Sequence, residues 1–214
     1  MGKILKLLGG IRVLEEIYSP VNGKIVVQTD LAWGPHILVD GLSQSGGVVK
    51  DVWKPVFRKL KNYKLNPKNC LILGLGGGTI AKFSRKNWPD AKITGVELDP
   101  LMVKMGEKYL GLMNANVETH IEDAYKLLAR SKAQFDLVLV DIYEGRSVPE
   151  KFTTETFAKI IKKTLSDKGV VVFNRLYGGQ NTSKAEKFLK ILKKVFPEVN
   201  ELYPQANVMY ICNK

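Results

Sequence analysis

The sequence predicts an α/β fold with a seven-stranded, mostly parallel β-sheet, a terminal antiparallel hairpin and a small N-terminal β-hairpin extension. From residue 69 onward, short apolar runs alternate with helical patterns, which is typical of a parallel sheet with helices on both faces. The first apolar run leads into a glycine-dense segment, 74–78. The last two runs, 199–203 and 207–212, have only a short connection between them, so we expect them to pair antiparallel.

The same alternation places the individual elements. Besides the final pair, strands are predicted at 69–74, 92–97, 116–121, 135–141 and 169–174. Helices are predicted at 78–87, 100–112, 124–131, 153–165 and 182–195. A chain of 214 residues is long enough to bury the core that such a sheet requires.

The residues before position 60 have a different pattern. Residues 23–28 and 36–39 are predicted to form a hairpin across a turn that contains Gly and Pro, and a helical period follows at 49–60. We therefore divide the chain into an N-terminal β-hairpin and helix extension, 1–60, and an α/β domain, 61–214. Apolar residues between Ile4 and Leu14 are expected to form a helix or strand docked on the domain, with a membrane-surface or partner-binding helix as the alternative.

Composition excludes several classes of protein. The sequence contains no apolar run of membrane-spanning length and no pattern of a signal peptide. Cys70 and Cys212 lie in strand-like runs without a CxxC motif or Cys/His cluster, so we expect a reduced, cytoplasmic protein without a bound metal. The formal charge of +12 falls largely on helical lysines. Solvent-exposed helix faces are the best explanation of this positive charge. A nucleic-acid partner is not favoured, because the sequence contains no nucleic-acid-binding motif.

The glycine-dense segment is the strongest functional signal. Gly74, Gly76 and Gly78 follow a predicted strand and precede a helix, a context in which glycine allows the backbone to approach a ligand. Glu97 ends the next strand and is followed by Leu98, and an acid at this position can accept hydrogen bonds from ribose hydroxyls. The spacing departs from Gly-x-Gly-x-x-Gly, which favours pyrophosphate. The pattern therefore indicates an adenosine-containing ligand other than NAD.

A second acid follows the third predicted strand. The Asp123 carboxylate can accept from the exocyclic amine of adenine, and the backbone N–H of Ala124 can serve a ring nitrogen. Asp123 is also well placed to cap the helix at 124–131, and one residue can fulfil both roles.

A third acid, Asp141, ends the fourth strand, where an unpaired buried carboxylate is costly unless it meets a ligand, a metal or a donor. With Tyr143 and Glu144 it forms the group of residues predicted to orient a substrate or transfer a proton. An ordinary polar loop remains the alternative for all three. His120 falls within a predicted strand and is expected to be structural, so a histidine base is not favoured.

The order of these motifs resembles that of spermidine synthases, within the class I S-adenosylmethionine-dependent transferase superfamily. It includes the segment Asp40-Gly41-Leu42-Ser43-Gln44, the glycine turn, and the acids at 97, 123 and 141, over roughly residues 15–175. The resemblance implies a Rossmann-like fold and S-adenosylmethionine, or its decarboxylated form, as cofactor. It also implies that the N-terminal hairpin, 18–45, covers the cofactor pocket with Gln44 near the ligand.

Three departures concern the polyamine half of that family's site. The family carries an acid in the glycine turn where this chain has Gly77, and a Tyr-His-Glu-like segment that is absent from 50–54. Its Asp-x-x-Asp pair here retains Asp141 but has Glu144 at the second position. We therefore expect a methyltransferase whose acceptor the sequence does not identify. An aminopropyltransferase is the alternative, and a non-catalytic adenosine-cofactor-binding protein is the second alternative. The expected partner is a small-molecule acceptor, and a homodimer remains open.

Overall fold

A computed structural model describes residues 10–214 and confirms the predicted α/β fold. The apolar positions predicted before residue 10 lie outside the described residues. The strands are β1 (Arg12–Ser19), β2 (Gly23–Asp30), β3 (Gly34–Val39), β4 (Leu42–Gly46), β5 (Asn69–Leu73), β6 (Lys92–Glu97), β7 (Val117–Ile121), β8 (Phe135–Val140), β9 (Leu165–Leu176), β10 (Glu198–Leu202) and β11 (Asn207–Asn213). The α-helices are α1 (Val49–Asn62), α2 (Thr79–Asn87), α3 (Pro100–Met105), α4 (Ala124–Arg130), α5 (Glu155–Thr164) and α6 (Gln180–Val195).

The central sheet has seven strands in the order β10-β11-β9-β8-β5-β6-β7. Strands β5 to β9 pair in parallel, whereas β11 is antiparallel to both of its neighbours. The predicted terminal antiparallel hairpin is therefore confirmed. The chain leaves β5 towards β6 on one side and later returns as β8 on the other. Parallel sheets bind ligands at such a point, outside the carboxyl ends of the strands.

The N-terminal extension is a four-stranded antiparallel sheet in the order β1-β2-β3-β4. The predicted hairpin corresponds to β2 and β3, with Gln28 paired to His36. Two further strands flank it. Sequence patterns give little sign of them, because β4 is a short Ser- and Gly-containing strand and β1 has a register irregularity between Val13 and Glu15.

Helices bury both faces of the central sheet. In β5, Leu71 and Leu73 pack into the cluster with α5 and α6, whereas Cys70 and Ile72 pack into the cluster with α1 and α2. This alternation follows from the two-residue period of a strand. Cys70 and Cys212 are both buried and free. Within residues 10–214, no helix is long and apolar enough to cross a bilayer.

The helix predicted at 100–112 changes its winding halfway. α3 ends at Met105, and a π-helical turn continues over Gly106–Leu110. Here the helix touches the glycine turn backbone to backbone, since a Cβ on Gly106 would lie 2.6 Å from the Cα of Gly77. Glycine at position 106 thus permits this close packing.

The fully buried Asp99 connects the N-terminal sheet to the α/β domain. Its Oδ1 accepts a hydrogen bond from the Leu101 N–H at 2.9 Å and caps α3. Its Oδ2 accepts from the Ser19 hydroxyl and, at 2.7 Å, from the Asn22 amide. One carboxylate therefore fixes both the start of α3 and the β1–β2 turn.

We predict that Asp99→Ala lowers the free energy of unfolding by about 2–3 kcal/mol, because a helix cap and two buried hydrogen bonds to a charge disappear together. Asp99→Asn should lose less, since asparagine also caps helices. Urea unfolding of both variants, with the exposed Asp90→Ala as control, measures this. An Asp99→Ala protein as stable as the control would contradict the connecting role.

Candidate active site

A cavity of about 300 Å³ lies at the carboxyl edge of the central sheet, next to the ends of β5, β6 and β8. All but one of the residues predicted for the site line it: Gln44, Gly74, Gly76, Glu97, Leu98, Asp123, Ala124, Asp141, Tyr143 and Glu144. The exception is Gly78. Neither histidine lines the cavity. The structure thus brings the predicted residues together, and their individual roles remain predictions.

Two glycines of the turn are required by close packing within the protein. Gly74 has a φ of +87°, and a Cβ there would lie 2.2 Å from the carbonyl oxygen of Asp141. Gly78, also at +87°, precedes α2, and its Cβ would lie 2.4 Å from the Leu112 side chain. Gly74 therefore lets the ends of β5 and β8 meet, whereas Gly78 supports the turn from behind the cavity.

β4 lies directly on the glycine turn. The Gly77 N–H donates to the Ser45 hydroxyl at 2.7 Å, and the Gly46 N–H donates to the Thr79 hydroxyl at 2.7 Å. A Cβ on Gly76 would lie 2.8 Å from the Ser45 Oγ. Glycine at these positions therefore admits a neighbouring strand as well as any ligand.

The N-terminal sheet also forms part of the cavity wall. Gln44 lines the cavity, and its amide donates to the carbonyl oxygen of Gly145 at 3.2 Å. Val21 and Asn22, from the β1–β2 turn, line it as well. This geometry agrees with the covering position expected for residues 18–45, and contact between Gln44 and a ligand remains a prediction.

The Glu97 carboxylate is held by three backbone N–H groups. Its Oε2 accepts from Gly76 at 2.7 Å, and its Oε1 accepts from Leu98 at 2.9 Å and Asp99 at 3.0 Å. Burial raises the pKa of the Glu97 carboxyl above its ordinary value, although these donors oppose the change. A carboxylate has about four acceptor positions, so Glu97 retains capacity for a further donor such as a hydroxyl.

Of the two roles predicted for Asp123, capping a helix and binding adenine, the structure shows the helix cap. Its Oδ1 caps α4 by accepting from the Tyr125 N–H at 2.8 Å, and its Oδ2 pairs with the Lys151 ammonium. Partial burial raises the pKa of the Asp123 carboxyl, but the hydrogen bonds from Lys151 and Tyr125 outweigh it, so the net change is downward. Asp123 is therefore held ionised, which makes it a stronger acceptor of a hydrogen bond from an amine.

Asp141 is held at the cavity by two side-chain donors. Its Oδ2 accepts from the indole N–H of Trp53 at 2.9 Å, and its Oδ1 accepts from the Asn174 amide at 2.7 Å. The Asn174 Oδ1 in turn accepts from the Asn207 amide at 2.8 Å. Burial raises the pKa of the Asp141 carboxyl, and these neutral donors and nearby Arg175 only partly offset it.

Tyr143 contributes a polar group that has no partner within the described residues. Its hydroxyl is buried and makes no hydrogen bond, and burial together with the Asp141 charge raises the pKa of the phenol. Arg175 lies close by, and burial lowers the pKa of its guanidinium to about 10. Glu144 is exposed and forms a backbone bridge with Ser147. The phenol, like the unpartnered hydroxyl of Ser43 in the same cavity lining, is therefore a hydrogen-bonding group that a ligand could satisfy.

Sequence patterns do not predict three residues that are hydrogen-bonded, directly or through one another, to Asp141. Asn174 lies near the end of the buried strand β9 and could have been found by the argument that singled out Asp141. Asn207 begins β11, after a loop, and Trp53 resembles any core aromatic of an amphipathic helix. Their contacts with the site join distant parts of the chain, so local patterns do not reveal them.

Position 77, where the sequence resemblance leads one to expect an acid, is crowded, so a side chain there would require its neighbours to move. A Cβ on Gly77 would lie 2.6 Å from Ile37 Cδ1 and 2.8 Å from Leu110 Cδ1, in the apolar cluster under the N-terminal sheet. An acid in this environment would be both overpacked and desolvated. Asp141 therefore lacks the neighbouring carboxylate expected of a polyamine site.

We predict that Asp141→Asn changes the pH dependence of stability. The pKa of the Asp141 carboxyl is raised in the folded protein, so the folded state binds the carboxyl proton more tightly than the unfolded state does. The wild type therefore loses stability as the pH rises from the ordinary pKa of an aspartate through the raised pKa of the folded state. The variant lacks this loss, so its stability relative to the wild type should be higher at about pH 8 than at about pH 3, below the ordinary pKa of an aspartate. Denaturant unfolding at both pH values measures this, and parallel profiles would contradict it.

Comparison with known proteins places the whole site in context. Residues 55–208 match the model of the spermine/spermidine synthase domain. A polyamine aminopropyltransferase of Vibrio vulnificus (strain CMCP6) is 33% identical over 112 residues, covering 50% of this chain and 38% of the relative. An eEF1A lysine and N-terminal methyltransferase homolog of Drosophila melanogaster is 32% identical over 142 residues, covering 62% and 21%. The chain thus spans less than half the length of either relative.

Solved structures show the same fold. A spermidine synthase in complex with the transition state analogue AdoDATO superposes with a TM-score of 0.79 at 20% identity, covering 95% of this chain and 72% of that one. Human methyltransferase-like protein 13 in complex with SAH gives a TM-score of 0.60 at 22% identity, covering 77% and 79%. The two lines of similarity, to aminopropyl and to methyl transfer, therefore share one architecture.

Proposed function

The chain belongs to the spermine/spermidine synthase domain family, and we propose that it is an S-adenosylmethionine-dependent methyltransferase. The observation that carries the proposal is the convergence of Glu97, Asp123 and Asp141, at or just beyond the ends of three successive strands, on one cavity beside the glycine turn. We propose that Glu97 receives the ribose hydroxyls and that Asp123 and Ala124 receive the adenine.

The residues present fit such a group. Glu97 retains acceptor capacity beside its three N–H donors, and Asp123 is held ionised beyond the neighbouring strand in the same cavity. Leu98 and Ile142 add apolar wall on which a purine could pack. When bound, S-adenosylmethionine supplies an electrophilic methyl carbon on a sulfonium sulfur.

The chain's own contribution is chiefly to position the acceptor and exclude water. In this proposal Asp141, fixed by Trp53 and Asn174, takes the proton from the attacking group. Its raised pKa suits a proton acceptor better than an ordinary aspartate would. The Tyr143 hydroxyl, which has no partner among the described residues, orients the acceptor by a hydrogen bond.

Aminopropyl transfer is the second candidate, and the similarity to a polyamine aminopropyltransferase supports it. It would require the cavity to hold a cationic amine, and desolvating an ammonium group without several carboxylates is costly. The apolar crowding at Gly77 and the exposure of Glu144 argue against such a pocket. A non-catalytic adenosine-binding protein is the third candidate, which only a turnover assay separates from the first.

We expect the wild type to bind S-adenosylhomocysteine and Glu97→Ala to bind it roughly ten- to a hundredfold more weakly, as follows from losing about 1.5–3 kcal/mol of charge-assisted hydrogen bonding. Calorimetry measures both. The exposed Glu107→Ala serves as the matched control and should bind like the wild type. Unchanged affinity of Glu97→Ala would remove Glu97 from the site, and no binding by the wild type would refute the proposed function.

We also expect transfer of the methyl group from S-adenosylmethionine to an acceptor found by a metabolite and peptide screen, with Asp141→Asn slower by roughly 10²–10⁴-fold. Putrescine with decarboxylated S-adenosylmethionine should be converted poorly. Efficient spermidine formation would overturn methyl transfer in favour of the second candidate. Full activity of Asp141→Asn on the true acceptor would show that Asp141 is not the base.

A further inference from the structure

A second cavity, of about 480 Å³, lies on the other side of the Thr79–Gly46 hydrogen bond. Its walls come from α2, from residues 109–115 and from the N-terminal part of the chain. Thr79 lines both cavities, but the acids of the candidate active site do not line the second one. A cavity of this size is in the range of small-molecule sites.

The lining of the second cavity is basic. Four cationic side chains contribute to it: Lys50, Lys82, Arg85 and Lys86. Within residues 10–214, no aspartate or glutamate lines this cavity. The candidate active site, in contrast, is lined by several acids, so the two cavities favour ligands of opposite charge.

Two of the lysines are anchored but keep free donors. Lys50 Nζ donates to the Trp33 carbonyl at 2.7 Å, and Lys82 Nζ donates to the Leu110 carbonyl at 2.6 Å. An ammonium group has three N–H donors, so each lysine retains two for a ligand. Arg85 is bound to several backbone carbonyls and therefore contributes charge rather than donors.

The two anchored ammonium groups repel each other. Burial, and then the charge of Lys50, lowers the pKa of Lys82. No acid of the cavity lining compensates this repulsion in the described part of the chain. An anion between the lysines would relieve it and would gain charge-assisted hydrogen bonds.

We propose that the second cavity binds a small polyanion of the phosphate class, held by Lys50, Lys82 and Lys86. Phosphate oxygens are acceptors only, which matches a lining of ammonium donors without carboxylates. Phe83 and Pro35 add an apolar wall, so the ligand has room for a non-polar part beside its phosphates. The concave shape fits a small phosphorylated molecule better than the extended backbone of a nucleic acid.

Tripolyphosphate is the appropriate probe, because it carries no nucleoside that could enter the candidate active site. We expect calorimetry to show binding at one site, and a K82Q/K86Q variant to bind at least about tenfold more weakly. K190Q/K194Q removes two exposed lysines at the same spacing on α6 and is the matched control. The single variant K86Q keeps the test valid should the loss of the Lys82 anchor impair folding.

The outcomes separate the alternatives. Weakening by K82Q/K86Q and K86Q but not by the control supports the cavity as the site. Equal weakening by both double variants would show that only the overall positive charge attracts the anion, and would overturn the proposal, as would absence of binding. Tighter binding of a short oligouridylate than of tripolyphosphate, with the same sensitivity to K82Q/K86Q, would replace the small ligand with a nucleic acid. Binding of S-adenosylhomocysteine should be unchanged in all variants.

Discussion

The candidate active site depends on the direct packing of β4 against the backbone of the glycine turn. The Ser45 hydroxyl accepts from the Gly77 N–H, and the Gly46 N–H reaches Thr79, so a second sheet lies within hydrogen-bond distance of the turn. Side chains at positions 76 and 77 would prevent this contact. The glycines are thus required by the junction of two sheets, and the cavity is the space that remains between that junction and the ends of the parallel strands.

A second feature is that each buried acid has its own set of donors. Asp99 has a helix N-terminus and two polar side chains, Glu97 has three backbone N–H groups, and Asp141 has an indole and an amide. These donors are all neutral, and Arg175 acts on Asp141 through its charge without donating to it. Neutral donors hold a carboxylate in place without cancelling its charge. Glu97 and Asp141 therefore face the cavity with their charge uncompensated by a cation in direct contact, whereas the Asp123 carboxylate, which also lines the cavity, is paired with Lys151.

Local patterns in the sequence predict the central sheet well, because strands such as β5 are continuous apolar runs between clear turn signals. They predict which acids gather at the sheet edge, because the carboxyl ends of parallel strands share one edge. They do not predict β4, whose five residues owe their pairing to β3, or the π-helical turn at Gly106, which depends on contact with Gly77. The positive charge is visible in the sequence, but the concavity that concentrates it depends on the tertiary fold.

The packing around Gly77 also bears on how sequences of this family diverge. Because the Cδ1 atoms of Ile37 and Leu110 occupy the space behind the glycine, an acid at position 77 requires these side chains to move or to be replaced by smaller ones. The effect of the substitution thus depends on the order in which the changes arise. An acid introduced at position 77 alone is therefore expected to lower stability, and a smaller residue at position 37 or 110 is expected to reduce that cost. Residues of the N-terminal sheet, remote from the chemistry, therefore determine which evolutionary paths between acceptor specificities are open to this chain.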